Sequence, residues 1–94
     1  MNVEYTQILI DRIRSLCSQW GYTITELAYQ SGLKHSTVDN IINGRSFNPQ
    51  IITLHKIAIA FNMTVAEFLH FEPLNSYSFD EGKDEDEESI ASDR

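Results

Sequence analysis

With 94 residues and a formal net charge of −7, the chain has room for one small domain, about 70 of whose residues can share a core. That size argues against the pocket of a few hundred Å³ with convergent groups that an enzyme needs, and a lone cysteine rules out an internal disulfide. No apolar run approaches the length of about 20 residues that crosses a bilayer, and the opening MNVEYTQILIDRIR lacks the charged-then-apolar order of a signal peptide, so the expected location is the cytoplasm.

In chain order, Leu9, Ile13, Leu16 and Trp20 recur at helical spacing, with Ile10 and Cys17 widening the stripe, and predict a helix from about Val3 to Gln19. Arg12 and Arg14 fall on its other faces, as solvated charges ahead of phosphate contacts, and Cys17, inside the apolar pattern, reads as a buried thiol. After Gly21, Thr23 and Glu26 stand three apart as a capping box that opens a second helix, whose inner face holds Ile24, Leu27, Ala28 and Ser31. Gly32 stops it.

A third helix follows from about Lys34 to Asn43, with Val38, Ile41 and Ile42 on one side and Asn43-Gly44 as a left-handed end. Its other side carries His35, Ser36, Asp39, Asn40 and Asn43. A merely solvated face favours long Glu and Lys side chains, which support a helix, whereas Ser, Asn, Asp and His do not. Helix propensity has been given up on that face, which points to a use for it.

RSFNPQ is then a loop, because Asn48-Pro49 breaks any helix. A fourth helix is predicted over about Ile52 to Phe61, with Leu54, Ile57, Ala58 and Phe61 in register and Asn62 in the turn after it. Thr64 and Glu67 form a second capping box, opening a short helix to about Leu69 with Val65, Phe68 and Leu69 inward. His35, His55 and His70 match no metal-ligand spacing, and neither a metal nor any other cofactor is expected.

Residues 1–72 thus form the predicted domain and 73–94 a C-terminal extension. In FEPLNSYSF, the residues Phe71, Leu74, Tyr77 and Phe79 either pack back on the domain or join a dimer contact. From about residue 80 the extension holds eight acids against two bases, a net of −6, and is expected to be disordered. Residues 1–79 are left at −1, so the acidity of the whole does not describe the body. Three readings of the tail stand: a solubilising terminus, a competitor for the domain's own ligand, and a docking segment for a protein partner.

Leu27-Ala28, Gly32, Leu33, Ser36-Thr37-Val38, Ile41, Asn43-Gly44, Asn48-Pro49 and the run TLHKIAIAFNMTVAEFL, taken in order, resemble the Cro/lambda-repressor-like (xenobiotic-response-element) helix-turn-helix family from about Leu9 to Phe71. The resemblance implies an all-α, compact five-helix DNA-binding domain with the helix at 34–43 in the major groove. By position it implies that His35, Ser36 and Asn40 read base edges and that Thr23, Lys34, Asn43, Arg45 and Ser46 hold the phosphate backbone. Ile24 departs from a family Gln that touches phosphate. Cys17 and Ile42 replace an ion pair that many relatives carry, and losing both charges together leaves neither stranded.

The implied function is sequence-specific regulation of transcription, as a homodimeric repressor that occludes a promoter at a two-fold double-stranded DNA operator. The alternative is an interaction module such as an antitoxin, whose acidic tail docks a partner protein. Five basic residues in the body, Arg12, Arg14, Lys34, Arg45 and Lys56, make one copy a weak binder of DNA and favour the dimer.

Overall fold

Local signals at helix ends set the path of this chain. A computed structural model, describing residues 3–46 and 48–79, has six α-helices: α1 (Val3–Trp20), α2 (Ile24–Ser31), α3 (His35–Ile42), α4 (Ile51–Ala60), α5 (Val65–Leu69) and α6 (Glu72–Asn75). Phe47, inside the predicted loop, and the expectation of disorder for the acidic segment 80–94 lie outside the described residues. Five of the helices are those predicted. The sixth is a single turn with Pro73 near its start, where a missing N–H removes no intrahelical bond.

Both capping boxes form. Thr23 Oγ1 accepts from the Glu26 amide at 3.1 Å while the Thr23 amide donates to Glu26 Oε1 at 3.0 Å. Thr64 and Glu67 repeat the arrangement at 3.0 and 2.9 Å. At their far ends α1 to α4 close in one way, through a left-handed residue and a pair of reversed hydrogen bonds. For α2 the Leu33 amide donates to the Ala28 carbonyl at 3.0 Å and the Gly32 amide to Tyr29 at 3.3 Å. Gly32 holds φ at 72°, and a Cβ there would meet no atom within 4 Å, so its requirement is one of backbone torsion and not of space. At α4 the same position is filled by Asn62 (φ 59°), the residue type after glycine that tolerates it best.

These reversals bring the helices back on one another. α2 packs on α3 and α4, and α1 lies against α3 and α6. Leu9, Ile13, Leu16, Leu27, Val38, Ile41, Ile57, Ala58, Phe61 and Phe68 are buried in one core. Ser31, a polar residue inside it, donates its hydroxyl to the Leu27 carbonyl at 2.7 Å. Tyr22 donates to the Ala60 carbonyl at 2.9 Å and stacks on Phe61, tying the α1–α2 turn to α4.

Three expectations are corrected. Trp20 does not continue the buried stripe: it ends α1, is 47% exposed, and lies against Tyr22 and Phe61. Cys17 is half-buried and not buried; burial still pushes its thiol up from the ordinary value, against the opposing charge of Arg14. Arg12 is no solvated charge. Its Nε and Nη2 donate to the Phe68 and Glu67 carbonyls at 3.0 and 3.1 Å, and its guanidinium lies 4.9 Å from the Phe71 ring centroid. It therefore ties the end of α5 to the middle of α1, sharing the Glu67 carbonyl with the His70 amide.

After α5 the chain returns to α1. Leu74 is buried, and Tyr5 of α1 meets Tyr77 and Phe79 at ring separations of 5.3 and 5.4 Å. Of the two uses foreseen for FEPLNSYSF, packing on the domain is the one observed. Among the described residues no helix is long and apolar enough to cross a membrane.

The Arg12 clamp makes a testable claim on stability. Arg12→Ala should lower the free energy of unfolding in urea by about 1–3 kcal/mol, through two lost charge-assisted hydrogen bonds and the ring contact. An unchanged urea midpoint would return Arg12 to the role of a solvated charge.

Candidate nucleic-acid interface

The outer face of α3 follows from what its inner face must do. Val38, Ile41 and Ile42 are buried, and helical periodicity then turns His35, Ser36, Asn40 and Asn43 outward, where all four are exposed. Lys34 is the N-cap residue, with an extended backbone (ψ 146°) and no capping hydrogen bond from its side chain. A Ser or Thr cap here would be worth about 1 kcal/mol to the helix. Without one, the amides of the first turn and the Lys34 ammonium stand together at an exposed helix start, an arrangement that favours an anion.

The other end of α3 is closed by Gly44 at φ 75°. The Gly44 amide donates to the Ile41 carbonyl at 3.1 Å and the Arg45 amide to the Asn40 carbonyl at 2.8 Å. This turn sends residue 45 back over residue 40. There the Arg45 side chain lies along the helix, with Nε donating to Asn40 Oδ1 at 3.0 Å and Nη2 to Asp39 Oδ2 at 2.7 Å. Asn43 holds the other Asp39 oxygen, its Nδ2 donating to Oδ1 and to the Asp39 carbonyl, both at 2.9 Å. Asp39, whose charge stands at the centre of this face, is thereby neutralised and held on both oxygens.

Beside Asn40 a shallow cleft of about 230 Å³ runs between α3 and the start of α4. Thr37, Asn40, Ser46, Asn48, Gln50 and Thr53 supply hydroxyls and amides to its wall. Gln50 caps α4 with no side-chain hydrogen bond, so this helix start is open as well. Ser46 was foreseen in the sequence; Thr37, Gln50 and Thr53 were not, and their one signal was the position of Gln50 after Pro49 at a helix start.

The structure thus places His35, Ser36 and Asn40 on the outer face of α3, with Lys34 at its start and Arg45 and Ser46 at its end. Thr23 lies apart from them in the chain, at the start of α2, inside its capping box; its hydroxyl proton can still be donated outward. Asn43 is exposed, but its amide donor is engaged within α3.

Comparison with known proteins agrees with this geometry. Residues 12–73 match the Cro/C1-type HTH DNA-binding domain. Among solved structures the chain is similar to prophage Lp1 protein 11, at 31% sequence identity and a TM-score of 0.66, over 74% of this chain and 92% of that one. No match is found among curated proteins.

The Asp39–Arg45 pair is exposed, with 59% of the Arg45 side chain open to solvent, and such pairs contribute little to folding. Arg45→Ala should shift the free energy of unfolding by less than about 1 kcal/mol. A larger loss, read by urea denaturation, would assign the network to stability and leave it no need of a ligand.

Proposed function

Since the chain belongs to the Cro/C1-type helix-turn-helix DNA-binding family, we propose that it is a sequence-specific transcriptional regulator, a repressor that occludes a promoter with α3 laid in the major groove. The observation that carries this reading is the outer face of α3, short and polar throughout and open at its N-terminus. His35, Ser36 and Asn40 are the residues placed to meet base edges, while Lys34, Ser46 and the Thr23 hydroxyl are the candidates for phosphate.

Few cations support the contact, and Arg45 is paired, so one copy gains little from phosphate neutralisation. A homodimer on a two-fold operator doubles the contacts, with half-sites about 10–10.5 base pairs apart. The outer face of α4 supports the pairing. Ile51, Ile52 and Ile59 are 58–63% exposed, and covering each with a second copy would contribute about 1–2 kcal/mol.

The acid-rich composition of residues 80–94 favours a second reading, in which the same chain also docks a protein partner through its tail, as an antitoxin does.

Selection of DNA from a random pool at low salt, run on the full chain and on a version ending at Phe79, tests both. The first reading predicts a two-fold motif from each version. Absence of a motif from both would refute it and pass the weight to the protein partner.

A further inference from the structure

We propose that Arg45 reads a base, jointly with Asn40, and that the pair is set to recognise guanine. This rests on the DNA-binding reading above and deepens it. The resemblance places Arg45 on a phosphate, yet its guanidinium is folded back along α3, held by Asp39 Oδ2 at 2.7 Å and Asn40 Oδ1 at 3.0 Å. The turn at Gly44 (φ 75°) and the 2.8 Å bond from the Arg45 amide to the Asn40 carbonyl fix the backbone that makes this possible.

The hydrogen-bond inventory of the pair decides what it can read. Of the five N–H donors of Arg45, two are spent on Asn40 and Asp39, and three remain. Asn40 commits one acceptor site of its oxygen to Arg45 and keeps its NH₂ group as a donor. An asparagine that pairs bidentately with adenine must offer both its oxygen and its nitrogen to the base. Here the combined edge is rich in donors, three N–H groups of Arg45 beside the Asn40 amide nitrogen, with the Asn40 oxygen already engaged. Guanine alone presents two acceptors, N7 and O6, side by side in the major groove, whereas cytosine presents a donor and adenine one of each.

Asp39 is the positioning residue. Arg45 holds one of its carboxylate oxygens and Asn43 the other, at 2.7 and 2.9 Å, so it anchors the guanidinium on the reading face and does not stand as a free charge before the phosphates.

The test uses the full chain and the half-site that selection yields, with Asp39→Asn as the variant. The wild type should prefer one guanine over adenine by roughly 5- to 150-fold, the range of one bidentate base contact. Replacing that guanine by 7-deazaguanine, which lacks the N7 acceptor, should cause a loss within that range, while inosine, unaltered in the major groove, should not. Asp39→Asn should erase most of the preference and, with one acid fewer near the backbone, bind unrelated DNA at least as well as the wild type. An Arg45 that served a phosphate would behave otherwise. Asp39→Asn would then raise affinity for every sequence alike with discrimination intact, and that result overturns the proposal while leaving the DNA-binding reading standing. An adenine at the position of the Asn40 contact would overturn it equally. Failure to bind DNA at all would instead remove the reading on which it rests.

Discussion

Positive φ within two residues of a helix end is the constraint on which this small fold depends. Four successive helices, α1 to α4, end with it, three on glycine and one on Asn62, and each end turns two amides back onto carbonyls that would otherwise face solvent or core unpaired. A helix of eight residues, such as α2 or α3, is far below the length that is stable alone in water. It persists because the turn returns it to its neighbours, where Leu27, Val38 and Ile57 lose nearly all their exposed surface. At Gly44 the same device does more than end a helix. It places the side chain of Arg45 over Asn40, so that a feature of backbone torsion decides which polar atoms the outer face of α3 presents.

Stability and recognition are kept on separate residues by this arrangement. The inner faces of α2, α3 and α4 are apolar and buried, and what polar groups they include are satisfied locally, as Ser31 is by its own helix. Long-range polar contacts are made elsewhere, by Arg12 from α1 to the end of α5 and by Tyr22 to the end of α4. Consequently the outer face of α3 is free to hold residues with poor helix propensity, because the core on its other side sustains the helix. The domain is modest in positive charge, and its one ion pair among the described residues neutralises Asp39, the acid best placed to repel a phosphate.

Much of this was legible in the sequence because it is written in short range. Thr23 with Glu26 and Thr64 with Glu67 announce helix starts three residues apart, and the left-handed ends fall on Gly or Asn. The two faces of α3 could be separated by counting alone. What escaped depends on the reassembled chain. Arg12 meets carbonyls 55 and 56 residues away, a distance over which periodicity carries no information. Trp20 fits the stripe of α1, but it is the helix's last residue, where the neighbouring turn no longer covers it. Asp39, Asn40 and Arg45 are close in sequence, yet the resemblance implies a phosphate contact for Arg45, because the reversal at Gly44 that folds its side chain back along α3 shows only in three dimensions. The single turn of α6 offers too few residues for any period to show.

Everything proposed for this chain turns on whether DNA lies on the outer face of α3. The most direct measurement is an NMR titration of the ¹⁵N-labelled full chain with a short duplex at low salt. The amide signals of Lys34, His35, Ser36, Asn40, Arg45 and Ser46 should shift or broaden first and most, while the residues of α5 and α6 move little. Perturbation centred on α4 and α5, with α3 unmoved, would contradict that placement of DNA.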